Sequence, residues 1–221
     1  MKKAVFFDMN ETLLNLNLLK DKFDKYFTDE YILKYWFTKL LHTSTIMGIM
    51  QEYRNFGELS AVVLEDVFHE RGKEITPETK TEILGAFKEL PPYNDVIEAL
   101  DILRQNNIRT VAVSNSSLAM IKEQLTNAGI IDLFDAYYSV DTVQIYKPFN
   151  SIYHFAAEAE HLELKDITMV ASHDWDLFGA KKAGLSTAYI ERKRTIFNPL
   201  FPLPDLSHSN LVDLAKEIVR S

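Results

Sequence analysis

The chain has 221 residues, 47% hydrophobic and 25% charged, which suits one α/β domain or such a domain carrying a smaller insertion. It contains no cysteine, which excludes disulfides, thiolate catalysis and cysteine–zinc sites and is compatible with a reducing compartment. Its net charge of −8 argues against a nucleic-acid partner, because such binders carry a basic stripe, and the densest basic run, Arg192-Lys193-Arg194, reads as solvated surface.

Met1-Lys2-Lys3 starts like a charged export signal, but the apolar stretch Ala4 to Phe7 ends at Asp8, too soon for one. No run approaches the roughly 20 apolar residues of a membrane-spanning helix. The expectation is a cytoplasmic protein with no membrane partner. Ala4 to Phe7 itself reads as a buried strand. Residues 15–90 contain no convincing strand. Leu18, Leu19, Phe23, Tyr26 and Phe27 recur at helical spacing, as do Ile32, Tyr35, Trp36, Lys39 and Leu40, and Leu59 to His69 is amphipathic. Thr76-Pro77-Glu78 supplies a cap residue, a first-turn proline and an acid. This segment reads as a helical cap subdomain, and Pro91-Pro92 marks the return to the sheet. The expected boundaries are 15–90 for the cap, and 1–14 with 91–221 for the core.

Beyond Pro92, helices alternate with strands. Asn94 can cap a helix through Gln105, followed by a strand at Thr110 to Val113. Ser116 or Ser117 begins a helix that stops at Gly129, and a strand follows at Ala136 to Val140. Ser151 begins a helix through His161, before a strand at Ile167 to Val170. Asp176 to Ala183 makes a short helix stopped by Gly184, with a last strand at Thr187 to Ile190. Phe197 to Ser209, with three prolines, reads as a surface loop, and Asn210 to Arg220 as a closing helix. The alternation predicts an α/β fold: a Rossmann-like parallel sheet core with an inserted helical cap.

Open parallel sheets bind ligands beyond the carboxyl ends of their strands. Those ends carry Asp8 with Asn10 and Thr12, then Ser114-Asn115-Ser116, then Asp141 leading to Lys147-Pro148, and finally Ser172-His173-Asp174 with Asp176 behind. Folding would gather a nucleophile candidate, hydroxyls, an ammonium and a second carboxylate on one rim. Plainer readings stand beside these: Thr12 capping a turn, Lys147 in solvent, Tyr153 in the core, and Trp36 and Trp175 as packing. His173 is the one histidine placed at the rim.

Phe7-Asp8-Met9-Asn10-Glu11-Thr12-Leu13-Leu14, Val113-Ser114-Asn115, Lys147-Pro148 and Ser172-His173-Asp174-Trp175-Asp176 before Gly179-Ala180 resemble the motifs of the haloacid dehalogenase superfamily, in order. Ser139 to Pro148, Trp36 to Phe56, and Trp175-Asp176 resemble the type II 2-haloacid dehalogenases. The resemblance implies that Asp8 displaces halide from C2 of a small acid and that water then cleaves the aspartyl ester. It implies catalytic roles for Asp8, Thr12, Ser114, Lys147 and Asp176. It implies substrate contacts for Met9, Asn10, Phe37, Asn115, Tyr153, Ser172, His173 and Trp175, no cofactor and no metal. The partner is a small-molecule substrate, and a homodimer is expected by resemblance alone.

Most members of the superfamily are magnesium-dependent phosphatases, so a phosphatase of small esters is the alternative. Their general acid two residues after the nucleophile is Asn10 here, and an amide cannot donate a transferable proton. Ser172 stands where they carry a metal-binding acid, although Asp174 could shift into that role. Two departures touch the dehalogenase reading. Phe37 follows Trp36 where type II enzymes have a halide-receiving arginine, and His173 replaces their asparagine. A scaffold reduced to a binding module is the third reading, and the intact Asp8, Thr12, Ser114, Lys147 and Asp176 set stands against it.

Overall fold

The computed structural model describes residues 2–193 and 196–221; Met1 of the N-terminal segment and Arg194 of the basic run lie outside them. Strand β1, Ala4–Phe7, is wholly buried, as its four apolar residues require of a central parallel strand. The chain then enters a helical region: α1 (Lys20–Asp24), α2 (Ile32–Ile49), α3 (Phe56–Glu70) and α4 (Pro77–Lys88). The expected helix over Leu18 to Phe27 is only the short α1, entered through a tight 3-10 turn at Leu16–Leu19. Thr76 caps α4 by accepting from the Thr79 amide, with Pro77 in the first turn.

The sheet domain resumes with α5 (Val96–Gln105), β2 (Arg109–Ser114), α6 (Leu118–Asn127) and β3 (Ala136–Ser139). It continues with α7 (Asn150–Ala159), β4 (Ile167–Ala171), α8 (Asp174–Ala183) and β5 (Ser186–Ile190), and closes with β6 (Leu206–His208) and α9 (Leu211–Arg220). All six strands pair in parallel in the order β3-β2-β1-β4-β5-β6. The order reverses between β1 and β4, so the crevice of such a sheet opens beyond their carboxyl ends, where Asp8 and Ser172-His173 stand.

Four local expectations are corrected. Asn94 does not cap α5; Asp95 occupies that position, and its carboxylate is spent on Arg192 and the Leu211 amide at 2.8 Å each, tying α5 to the start of α9. Helix α7 begins at Asn150 rather than Ser151, with Phe149 at the cap position. Helix α8 begins at Asp174, two residues early, so Asp176 lies in its first turn; it ends on Gly184, whose φ of 104° favours glycine. The segment 197–209 is not all loop. Its last part adds β6 to β5, with Leu206 opposite Ala188 and Asp205 accepting from the Thr187 amide at 2.8 Å. Three residues are too few to show a period of two, and the prolines ahead of them mask the strand. Among the described residues no helix is long and apolar enough to cross a membrane.

Candidate active site

Asp8 follows β1 directly and Thr12 closes the turn after it. The amides of Thr12, Leu13 and Leu14 all converge on the Met9 carbonyl, which folds the turn back under the carboxylate. Thr12 is fully buried, and its hydroxyl donates to Asp8 Oδ2 at 2.8 Å while accepting from the Ser172 amide at 2.9 Å. The Thr12 hydroxyl therefore fixes the nucleophile candidate and β4's end together.

Lys147 enters from the loop after β3. Its Nζ donates to Asp8 Oδ1 at 3.1 Å and to Asp176 Oδ2 at 2.8 Å, and it is 1% exposed. An ammonium this buried is tolerated because two carboxylates surround it. Asn115, after β2, accepts from the Lys147 amide at 2.9 Å and so holds that loop. Gly179 of α8 packs on the same loop: a Cβ there would stand 2.4 Å from the Pro148 carbonyl oxygen. Tyr153 of α7, also fully buried, donates to Asp176 Oδ1 at 2.5 Å.

On the other side stands His173, the residue before α8. Its Nδ1 lies 3.0 Å from Asp8 Oδ2 and its Nε2 lies 2.9 Å from Glu11 Oε2. A neutral imidazole has one N–H, and here both nitrogens face carboxylate oxygens, so the ring carries two protons. Glu11 also pairs with Lys193, from the loop after β5. The rings of Trp175 and Phe37 flank His173 at centroid distances of 5.3 and 6.3 Å.

The electrostatics follow from this packing. Burial by itself raises the Asp8 carboxyl, but Lys147, His173 and Thr12 outweigh it and hold Asp8 well below the ordinary carboxylate range. For Asp176 burial prevails over Lys147, with Asp8 as a like charge beside it, and its pKa is raised. Burial lowers Lys147, but Asp176 and Asp8 more than offset that, so it stays charged. Burial also lowers His173, yet its bonds to Asp8 and Glu11 push it up to about 9. One ionised carboxylate thus sits beside a second that is the better base.

A cavity of about 410 Å³ opens beside this cluster. Lys147, Ser172, His173 and Trp175 face it from the core, and Phe37 and Leu41 from α2. Met9, Asn10, Ser114, Asn115 and Tyr153 do not line it. The Asn10 side chain is engaged with Gln124 at 3.1 Å, and Ser114 Oγ accepts from the Ser116 amide at 3.1 Å. Two residues of the cluster carry no sequence-level role: Glu11, and Lys193 of the basic run. Arg192 of that run is not solvated surface: it is largely buried, donating to the Thr12 carbonyl at 3.0 Å and to Asp95. A signal for both lay in their positions, one inside the first motif and the other just beyond a strand end.

The residues present do not fit a magnesium ion. Asp174 turns its two oxygens onto the amides of Trp175 and Asn198, at 2.8 and 3.1 Å. Ser172 donates to the Glu11 carbonyl, and the His173 cation already occupies the side of Asp8 where a metal would need oxygen ligands.

The aspartate at the end of the central strand, bridged by lysine to a second aspartate, lies within residues 2–184, which match the family model of haloacid dehalogenase-like hydrolases. The chain belongs to the haloacid dehalogenase-like hydrolases. Over 211 residues it is 29% identical to the (S)-2-haloacid dehalogenase of Pseudomonas sp. strain YL, spanning 95% of this chain and 91% of that protein. It is equally 29% identical over 211 residues to haloacetate dehalogenase H-2 of Moraxella sp. strain B, spanning 94% of each. The L-2-haloacid dehalogenase of Xanthobacter autotrophicus superposes with a TM-score of 0.91 at 26% identity, covering 99% of this chain and 98% of that one. A second structure of that enzyme holds chloropropionic acid covalently bound and superposes at 0.90. The helical region after β1 is thus the cap of a haloacid dehalogenase fold.

Proposed function

We propose that this hydrolase dehalogenates small 2-haloacids to 2-hydroxy acids through an ester on Asp8. One observation carries the reading: among the described residues Asp8 Oδ1 has a single donor, Lys147, whose charge holds the carboxyl ionised and which leaves a lone pair for attack. In the first step Oδ1 bonds to C2 and the halide departs with the C–X electron pair. A halide needs no proton, which suits a site where the general-acid position is an amide bound to Gln124. In the second step Asp176 takes a proton from water, the hydroxide adds to Cγ of Asp8, and the tetrahedral centre collapses with cleavage of Cγ–Oδ1. The product alkoxide recovers the proton from Asp176.

Lys147 serves both steps by holding the two aspartates together, with Tyr153 orienting Asp176 and Thr12 orienting Asp8. In this reading Ser114 and nearby backbone amides, those of Met9 and Asn10 among them, hold the substrate carboxylate, Asn115 contacts the leaving halide, Phe37 and Trp175 wall the cavity, and Ser172 completes its floor. The bridge between Leu14 and Pro92, and the bond from the Asn15 amide to the Pro91 carbonyl, support cap boundaries at 15 and 90. The same reading carries a cytoplasmic location, in keeping with the absence of cysteine, and a homodimer. A single turnover of (S)-2-chloropropionate in H₂¹⁸O tests the mechanism: label goes into the Asp8 carboxylate, and Asp8→Asn abolishes turnover. Label found only in the released hydroxy acid means direct attack by water and overturns the reading.

A further inference from the structure

The two oxygens of Asp8 are not equivalent. Among the described residues Oδ1 meets only Lys147, whereas Oδ2 receives both the Thr12 hydroxyl and the His173 N–H. With two donors in place, Oδ2 has no in-plane lone pair left to attack carbon. If Oδ1 is alkylated, Oδ2 becomes the ester carbonyl oxygen, and it is there that charge appears when water adds. Behind His173 stands Glu11, held at a φ of 63°, a backbone region costly for any residue but glycine. That strain is sustained while its carboxylate, 7% exposed, grips His173 Nε2 and Lys193.

We propose that His173 and Thr12 form the oxyanion site for hydrolysis of the Asp8 ester, and that Glu11 is the positioning residue that orients the imidazole and maintains its second N–H. The inference rests on the covalent reading above and adds a division of labour to it. In the first step negative charge leaves Asp8, so a cation on Oδ2 stabilises the ground state and gives no acceleration. In the second step the C=O electron pair moves onto Oδ2, and the imidazolium meets the charge as it forms. Collapse returns that pair to the carbonyl. His173 is therefore no donor to the halide: both its nitrogens are already committed.

The ionisable groups around His173 act in both directions, carboxylates favouring the charged ring and lysines opposing it. Asp8 and Glu11 touch it, and Lys193 lies beyond Glu11. Lys147 is on the far side of Asp8, Asp174 and Asp176 are on its own helix, and Lys34 and His42 of α2 line the cavity. Only the two contacting carboxylates are close enough to hold the ring charged, and Glu11 is the one the reaction does not consume.

The experiment is rapid mixing of (S)-2-chloropropionate with wild type, Glu11→Gln, Glu11→Gly and His173→Asn, following the ester by intact-protein mass spectrometry and halide release in parallel. Glu11→Gly suits the left-handed backbone and so guards against a folding failure. The halide burst should persist in every variant while ester decay slows. Removing one preorganised donor costs on the order of 10²–10³ in rate; His173→Asn, the residue that type II relatives carry, supplies a neutral donor in place of the cation and should slow decay by less than that. The outer partner of an oriented histidine is worth on the order of ten- to a hundredfold, expected for the Glu11 variants by analogy with ligand-orienting groups. The basic limb of ester decay should also move to lower pH in Glu11→Gln, because in the ester Asp8 is neutral and Glu11 is the contacting carboxylate that still holds the ring charged. A merely structural Glu11 lowers decay equally at all pH. Ester decay unchanged in rate and pH profile overturns the inference and leaves the covalent reading standing. A slowed halide burst with normal decay reassigns His173 to the leaving group. No ester in any protein, wild type included, defeats both.

Discussion

Two cations bridge carboxylates at Asp8, and they are built differently. On one side Lys147 joins Asp8 to Asp176, with all three partners almost wholly out of solvent. On the other His173 joins Asp8 to Glu11, with a ring that is 12% exposed and a cavity in front of it. Two carboxylates outweigh burial and leave Lys147 charged over the whole working range, whereas His173 loses its second proton near pH 9. The sealed bridge is a fixed element of the site; the cavity-side bridge is the one whose charge can be lost without unfolding anything.

Breaking the sealed bridge should have the largest effect. Lys147→Met leaves Asp176 buried without a counter-charge and Asp8 with His173 alone, which costs about 3–5 kcal/mol in stability. Chemical denaturation should show that loss, and turnover should fall by at least about 10³, since neither aspartate keeps its place. A variant that retains wild-type stability shows that the bridge is not the anchor described here. Loosening the same bridge at Tyr153 is milder. Tyr153→Phe removes the hydrogen bond on Asp176 Oδ1, so the Asp176 pKa should rise further and the acid limb of turnover move to higher pH, with a loss of roughly tenfold at neutrality. An acid limb that does not move places the water-activating base elsewhere.

The smallest effect concerns folding and sharpens the contrast between the two cations. Because His173 is raised above its ordinary 6.5 to about 9, its contribution to stability is complete below pH 6.5 and is lost as pH climbs through 9. Thermal melts of the wild type should decline across that window, and Glu11→Gln should flatten the decline. Equal slopes in the two proteins show that His173 is not the group titrating.

Strand ends were the most readable part of this chain. Asp8, Lys147 and Asp176 each follow a short apolar run, and parallel topology alone brings such ends to one rim. Thr12 was readable too, because a hydroxyl four residues on reaches back across a tight turn. The second bridge was not, since Glu11 and Lys193 are 182 positions apart and meet only because two loops converge. Local pattern carries no record of such a meeting, and Glu11 sits in a backbone conformation that its own side chain disfavours. Strand β6 escaped for a different reason: it is a three-residue edge whose anchor is the Asp205 side chain rather than its own hydrophobicity. Ser114 stands at a strand end as expected, and its hydroxyl oxygen accepts from the Ser116 amide, a local turn bond that the sequence pattern does not announce.

Every polar partner of Asp8 among the described residues belongs to the sheet domain: Thr12, Lys147 and His173, with the Val170 carbonyl receiving its amide. The cap faces the same cavity through Phe37 and Leu41, beside Lys34, Thr38 and His42, and gives Asp8 no hydrogen bond. It is tied instead to the loop that presents the lysine: Tyr53 donates to Asp141, and Tyr146, one residue before Lys147, donates to the Arg54 carbonyl. A displacement of the cap would therefore pull on the backbone that carries the ammonium before it reached any bond of the nucleophile, so cap position and lysine position are linked through the chain itself.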